Sequence, residues 1–287
     1  MKDDEIQILI DVFNSLNDLS LKNQRDILNE LNKCLAECTQ DIYDFKIKFE
    51  DAELFEKLMF QIIYHNSSLE KLSDGSIINI REQSLKINDL SAIYSLARLQ
   101  LETFINLSYN FFIDCKYSKK LRIYVYKIQG LRKQISLSEK HRKDFPPVLK
   151  MRKELAEEIF KLRKLNEYGK LSYKEREKLI RPNHAKLLKP EEIYKLIEIR
   201  DLSKSHSLYS NHIHAEYIGI RQLRSSIKDI TNFENSSSTV FLIFNTITCS
   251  VIKNLTDLYL PDGNSYSKVN LKLRKLIEMT NSISKKA

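Results

Sequence analysis

"LSAIYSLARLQLETFINLSYNFFID", residues 90–114, decides the fold. Asp89 precedes it in the position of a helix N-cap, where a short carboxylate accepts from the first free backbone amides. Apolar residues then cover most of the helical circumference, so this segment predicts a central, largely buried helix. Two charges interrupt it. Arg98 and Glu102 are four residues apart, one above the other on a single face. A charged pair in such a helix must find partners or line a cavity, because an unpaired buried charge costs several kcal/mol, roughly.

Working outward, the same periodicity predicts helices at residues 3–17, from a Ser20 cap towards Ile42 and Phe45, and from about Ala52 to His65. "NSSLEKLSDGS" reads as the first break, with Asp74-Gly75 as its turn. Beyond the central helix, further helices are expected at about 118–138, 149–168 and 172–180. A helix is also expected to begin at Pro190, with Glu191 and Glu192 suiting its N-terminal dipole. A helical pattern carries on from there through Arg200 to Leu223, with a possible break at Ser203. Helices over 236–260 and 266–284 close the chain. The first of these is rich in Thr, Val and Ile, but its length and context favour a helix over a strand.

Only five glycines and five prolines in 287 residues agree with an all-α bundle with short connections. Residues 1–75 are expected to form an accessory helical segment and residues 76–287 the main bundle, which includes a basic helical hairpin at 140–190. The N-terminal "MKDDEIQILI" is acidic and lacks the apolar core of a secretory signal. The apolar run from Thr239 to Ile252 is short and interrupted for a bilayer span. The chain therefore reads as cytoplasmic, with no membrane partner. Cys34, Cys38, Cys115 and Cys249 are expected to be reduced thiols, and their spacing offers no metal site.

The net charge of +9 is concentrated in the middle. Residues 116–200 carry 25 Lys+Arg against 11 Asp+Glu, a net of +14, which leaves −5 for the remainder. Such a block favours RNA or another polyanion as partner, although a lysine-rich solvated hairpin has the same composition.

"LYSNHIHAEYIGIRQL", residues 208–223, holds the densest set of chemically capable side chains. At about 100° per residue, with His206 at zero, Ser210 falls near 40°, His214 near 80°, Tyr217 near 20° and Arg221 near 60°. These five form one polar stripe beside an apolar one, and His212 points elsewhere. The stripe could be the wall of a pocket in which an imidazole exchanges protons, or a polar seam that bonds helices together. No glycine-rich phosphate loop, nucleophile elbow or paired-carboxylate signature is present, and no cofactor is expected.

Arg98-x-x-x-Glu102 in an apolar helix, followed after a basic hairpin by Ser210, Ile213 and His214, resembles a bacterial all-helical family. That family pairs an Arg/Glu helix with a later S-x-x-[VI]-H helix. It is similar to HEPN domains, the helical bundles of many prokaryotic toxin ribonucleases and phage-defence proteins. The resemblance covers about residues 80–260 and implies a HEPN-like bundle with extra N-terminal helices. "RDLSKSH" also fits the arginine–polar–histidine spelling of catalytic HEPN proteins, through Arg200, Asp201 and His206. The resemblance implies metal-independent cleavage of RNA by its own 2′-hydroxyl, in a toxin or antiviral defence setting. His206 or His214 would move protons, Arg200 would hold phosphate, and Arg98 and Glu102 would orient the histidine. Ser210, Tyr217 and Arg221 would contact substrate. A homodimer is implied on the same ground. The alternative is a non-catalytic bundle that binds a nucleotide, RNA or protein, in which the same residues form a structural network.

Overall fold

The computed structural model describes residues 3–81, 83–139, 145–213 and 230–285. Among these the chain is an all-α helical bundle protein whose strands form a single two-stranded hairpin. It divides into two compact units, residues 1–107 with 197–287, and residues 108–196.

The first unit contains α1 (Asp3–Asn17), α2 (Leu21–Asp44), α3 (Ala52–Ser73), α4 (Leu90–Leu107), α10 (Leu202–Ile213), α11 (Ile230–Leu258), α12 (Ser265–Lys268) and α13 (Leu271–Lys285). Ser20 caps α2 by accepting from the Asn23 amide, and Asp89 does the same for α4 from Ala92 at 3.0 Å. α11 is the axis, packed against α2, α3, α4 and α13. Leu28, Leu31 and Leu35 of α2, Met59 and Ile62 of α3, Leu101 and Phe104 of α4, and Phe241 and Phe244 of α11 form its buried core. By length and composition alone α11 could cross a membrane, yet 61% of its apolar window is buried inside the bundle.

α3 runs past the expected break at Asn66 and ends only at Ser73. Asn66 is buried and fully used: its amide donates to Asn32 Oδ1 and Thr248 Oγ1, and its carbonyl accepts from Gln100 Nε2 at 3.0 Å. Ser67 bonds back to the Ile63 carbonyl, which keeps the turn helical. Residues that favour loops when exposed are held here by three neighbouring helices.

Residues 76–87 lie outside the expected helices. They form a hairpin, β1 (Ser76–Ile80) antiparallel to β2 (Gln83–Ile87), with Ser76 opposite Ile87. Gly75 opens it at φ +72°, and a Cβ there would lie 2.5 Å from Asn88 Oδ1 and 2.9 Å from the Ile87 carbonyl. Only glycine fits that entry.

The second unit begins with a π-helical turn, Ser108–Phe112, followed by α5 (Lys119–Glu139), α6 (Pro146–Arg163), α7 (Asn166–Gly169), α8 (Tyr173–Ile180) and α9 (Pro190–Ile197). α5 pairs with α6 over a core of Leu121, Val125, Ile128, Leu162, Tyr168, Leu179 and Ile180. Arg122 is buried beneath the π turn, where it donates to the carbonyls of Tyr109 and of Ile113 (3.0 Å) with its guanidinium against the Tyr109 ring. The guanidinium thus sits at the negative end of a helix. Ser172 and Glu175 form a reciprocal capping box at the start of α8.

Candidate functional site

Tyr94, Arg98 and Glu102 follow one another at four-residue intervals along α4, so they form a single ridge. On α10 the matching face is Leu202, His206 and Tyr209; Leu202 and Tyr209 are buried and anchor the helix. The two ridges meet in opposite directions. Tyr94 packs against Tyr209 with ring centroids 5.2 Å apart, and Arg98 and Glu102 meet His206. Burial pushes the Tyr209 hydroxyl well above the usual phenol range, so it remains protonated.

Arg98 organises the contact. Its Nε donates to Glu102 Oε1 at 2.8 Å, and Nη2 lies 2.7 Å from the same oxygen. Its Nη1 lies 2.9 Å from His206 Nδ1 and 2.9 Å from the His206 carbonyl oxygen. A guanidinium only donates, so Nδ1 must accept and the neutral ring carries its proton on Nε2. That nitrogen is 3.9 Å from Glu102 Oε1, too far for a hydrogen bond. Arg98 and His206 side chains are 18% and 21% exposed, whereas Glu102 at 47% faces water.

Arg200 lies outside the helix that carries His206. α9 ends at Ile197, and Glu198 and Asp201 take left-handed backbone conformations (φ 57° and 55°), so α10 begins only at Leu202. The break lies at 198–201, before Ser203. Arg200 therefore sits in a turn, its amide bonded to the Ser284 carbonyl and its side chain 3.4 Å from Asp201. It lines a mainly apolar cavity of about 360 Å³ with Phe13, Leu19, Ile199, Leu242 and Ile283. Ser210 lies on α10 one turn beyond His206 and is half-buried. His214, Tyr217 and Arg221 lie outside the described residues.

Sequence reasoning missed a second polar constellation in the same unit. His65 Nδ1 lies 3.0 Å from Gln100 Oε1, and Gln100 passes the chain on to Asn66, Asn32 and Thr248. Because Gln100 Nε2 is donated to Asn66, His65 Nδ1 must be the donor. Burial lowers the pKa of His65 below the ordinary imidazole value, so the ring is held neutral. The signal was available in part, since Gln100 falls in the most apolar stretch of α4.

The second unit, residues 108–196, carries 24 Lys+Arg against 11 Asp+Glu. Among the described residues no group of three or more His, Cys, Asp or Glu side chains could hold a metal ion. Comparison with protein-family models, with curated proteins and with solved structures finds no match for this chain.

Proposed function

We propose that this protein is a HEPN-like helical bundle that binds RNA through its basic unit without cutting it. Arg98, Glu102 and His206 then act as a clamp between α4 and α10. One observation carries the reading: Arg98 Nη1 lies 2.9 Å from Nδ1 of His206, where a guanidinium can only donate and so occupies the acceptor lone pair of a neutral imidazole. A ring in that state cannot take a proton from a 2′-hydroxyl until Arg98 withdraws. The same Nη1 also holds the His206 backbone, as expected of a residue that positions a helix.

The RNA part rests on charge. The excess of 13 positive residues in 108–196 gives the long-range attraction to phosphate that non-specific binders use. Fluorescence anisotropy of a labelled single-stranded RNA tests it. Binding should weaken steeply with salt, by roughly 0.7 in log affinity per log salt for each phosphate contacted. Lys153→Glu with Lys174→Glu should weaken it further. An absence of binding at low salt contradicts the reading. The homodimer implied by the resemblance belongs to the same proposal and is checked by sedimentation.

A second reading has its own support in the partial exposure of Arg98 and His206 beside water-facing Glu102. If phosphate drew Arg98 away from Nδ1, the freed lone pair could accept the 2′-hydroxyl proton as that oxygen attacked the neighbouring phosphorus. The 5′-oxygen would leave with that proton, returned by the imidazolium, and the products would be a 2′,3′-cyclic phosphate and a 5′-hydroxyl end. Metal-free cleavage of RNA that disappears in His206→Ala distinguishes this reading from the first.

A further inference from the structure

A cavity of about 600 Å³ in the second unit is lined by Gln129, Lys133, His184, Lys186, Lys189 and the backbone between them. Among the described residues its lining contains three lysines, a histidine and two carboxamides, and no carboxylate. Most of it comes from one irregular loop, residues 181–189, between α8 and α9.

That loop is held in place at several points. The Leu187 amide donates to the Tyr109 hydroxyl at 2.9 Å, and Arg132 Nε donates to the Ile180 carbonyl at 2.7 Å. Leu188 is buried, and the Lys189 amide donates to Glu192 Oε2 at 2.9 Å. The Glu192 carboxylate is occupied with the N-terminus of its own helix. Tyr109 in turn is fixed beneath Arg122. The lysines are thus carried on a pinned backbone, which lowers the ordering cost of binding. The surrounding charge also favours an anion. Arg181 adds to burial in lowering the pKa of Arg132, with Glu177 as the opposing carboxylate.

From this lining and this volume we infer that the cavity is a binding site for a nucleoside diphosphate. Lys133 and Lys189 take the phosphates, Gln129 and Asn183 supply polar contacts, and Ala185, Leu187 and Pro190 form the apolar side for a flat base. The volume lies within the 300–1,000 Å³ or so usual for small-ligand sites. The inference deepens the RNA-binding proposal by naming a discrete phosphate site within the basic unit, and it rests on the same charge.

Isothermal titration of the full chain with ADP and GDP in chelator, alongside pyrophosphate, adenosine and a 20-nucleotide RNA, tests it. ADP or GDP should bind and compete with pyrophosphate, and adenosine should not bind. Lys133→Ala and Lys189→Ala should each weaken nucleotide binding roughly tenfold or more, the cost of a hydrogen bond to a charged group. Tyr109→Phe, which keeps the ring and releases the loop, should weaken it as well. A control pair outside the cavity lining, Lys150→Ala with Lys170→Ala, should leave nucleotide affinity unchanged. Equal loss in the control pair overturns the site. RNA binding without nucleotide binding also overturns it, while leaving the wider RNA-binding proposal standing. Loss of both removes both.

Discussion

Replacing Arg98 by Met keeps most of the side-chain volume and removes the guanidinium, so the cost can be read contact by contact. The pair with Glu102 is an i,i+4 contact with a half-exposed partner, worth about 0.3–0.5 kcal/mol. The two bonds from Nη1 to His206 are better shielded, and charge-assisted bonds contribute about 1.5 kcal/mol at the low end of their range. The His206 carbonyl lies inside α10 and is not orphaned by the change, so only the Nδ1 bond counts in full and the total loss should be about 2 kcal/mol. For a unit of this size that is a fall of roughly 4–8 °C in Tm. Pairing Arg98→Met with His206→Ala separates the contributions, because His206→Ala removes Nδ1 and leaves the carbonyl. The expected coupling in urea unfolding is about 1 kcal/mol, with a residual effect of Arg98→Met in the alanine background. Arg98→Lys should fall between wild type and Met, since one ammonium cannot reach Glu102 and both His206 acceptors together. Coupling below about 0.3 kcal/mol would refute the clamp.

Three other outcomes follow from the packing. His65 is neutral in the folded state, with its pKa lowered by burial, while the unfolded chain titrates near the ordinary value of about 6.5. The unfolded state thus binds more protons, so stability is full above pH 6.5 or so and declines as pH falls through the folded value. His65→Gln should flatten that part of the unfolding profile, and an unchanged slope would show that the ring is not held neutral. Arg122→Met leaves the buried Tyr109 and Ile113 carbonyls without their donor, an expected loss of roughly 2–4 kcal/mol measured by urea unfolding of the full chain. Cys34, Cys38 and Cys249 are buried and burial helps push the Cys249 thiol up to about 12, so in native protein only half-buried Cys115 should react with a thiol reagent within minutes. Fast reaction of two or more thiols would mean that the α2–α11 core opens readily.

The helices were largely legible because their apolar spacing and caps act locally. Ser20, Asp89, Ser172 and Pro190 each mark a helix start, and Arg98 with Glu102 could be placed on one face from spacing alone. What was not legible depended on distant partners. Asn66, Ser67 and Ser68 look like a loop until Asn32, Gln100 and Thr248 are brought against that stretch of α3. The turn at 198–201 has no glycine or proline to announce it, and it relies on left-handed Glu198 and Asp201. That turn places Arg200 outside the helix that carries His206. The resemblance implied that Arg98 would orient a histidine and left His206 and His214 both open; which nitrogen Arg98 would use was beyond the sequence. That detail separates a resting hydrogen-bond clamp from a ready base.

The most direct test of the central claim is to incubate the purified protein with mixed single-stranded RNA in excess chelator and examine both binding and RNA length. The account predicts salt-sensitive binding, intact RNA, and the same intact RNA with His206→Ala and His214→Ala. Cleavage by wild type to 2′,3′-cyclic phosphate ends, abolished by His206→Ala in protein that remains folded, would contradict it.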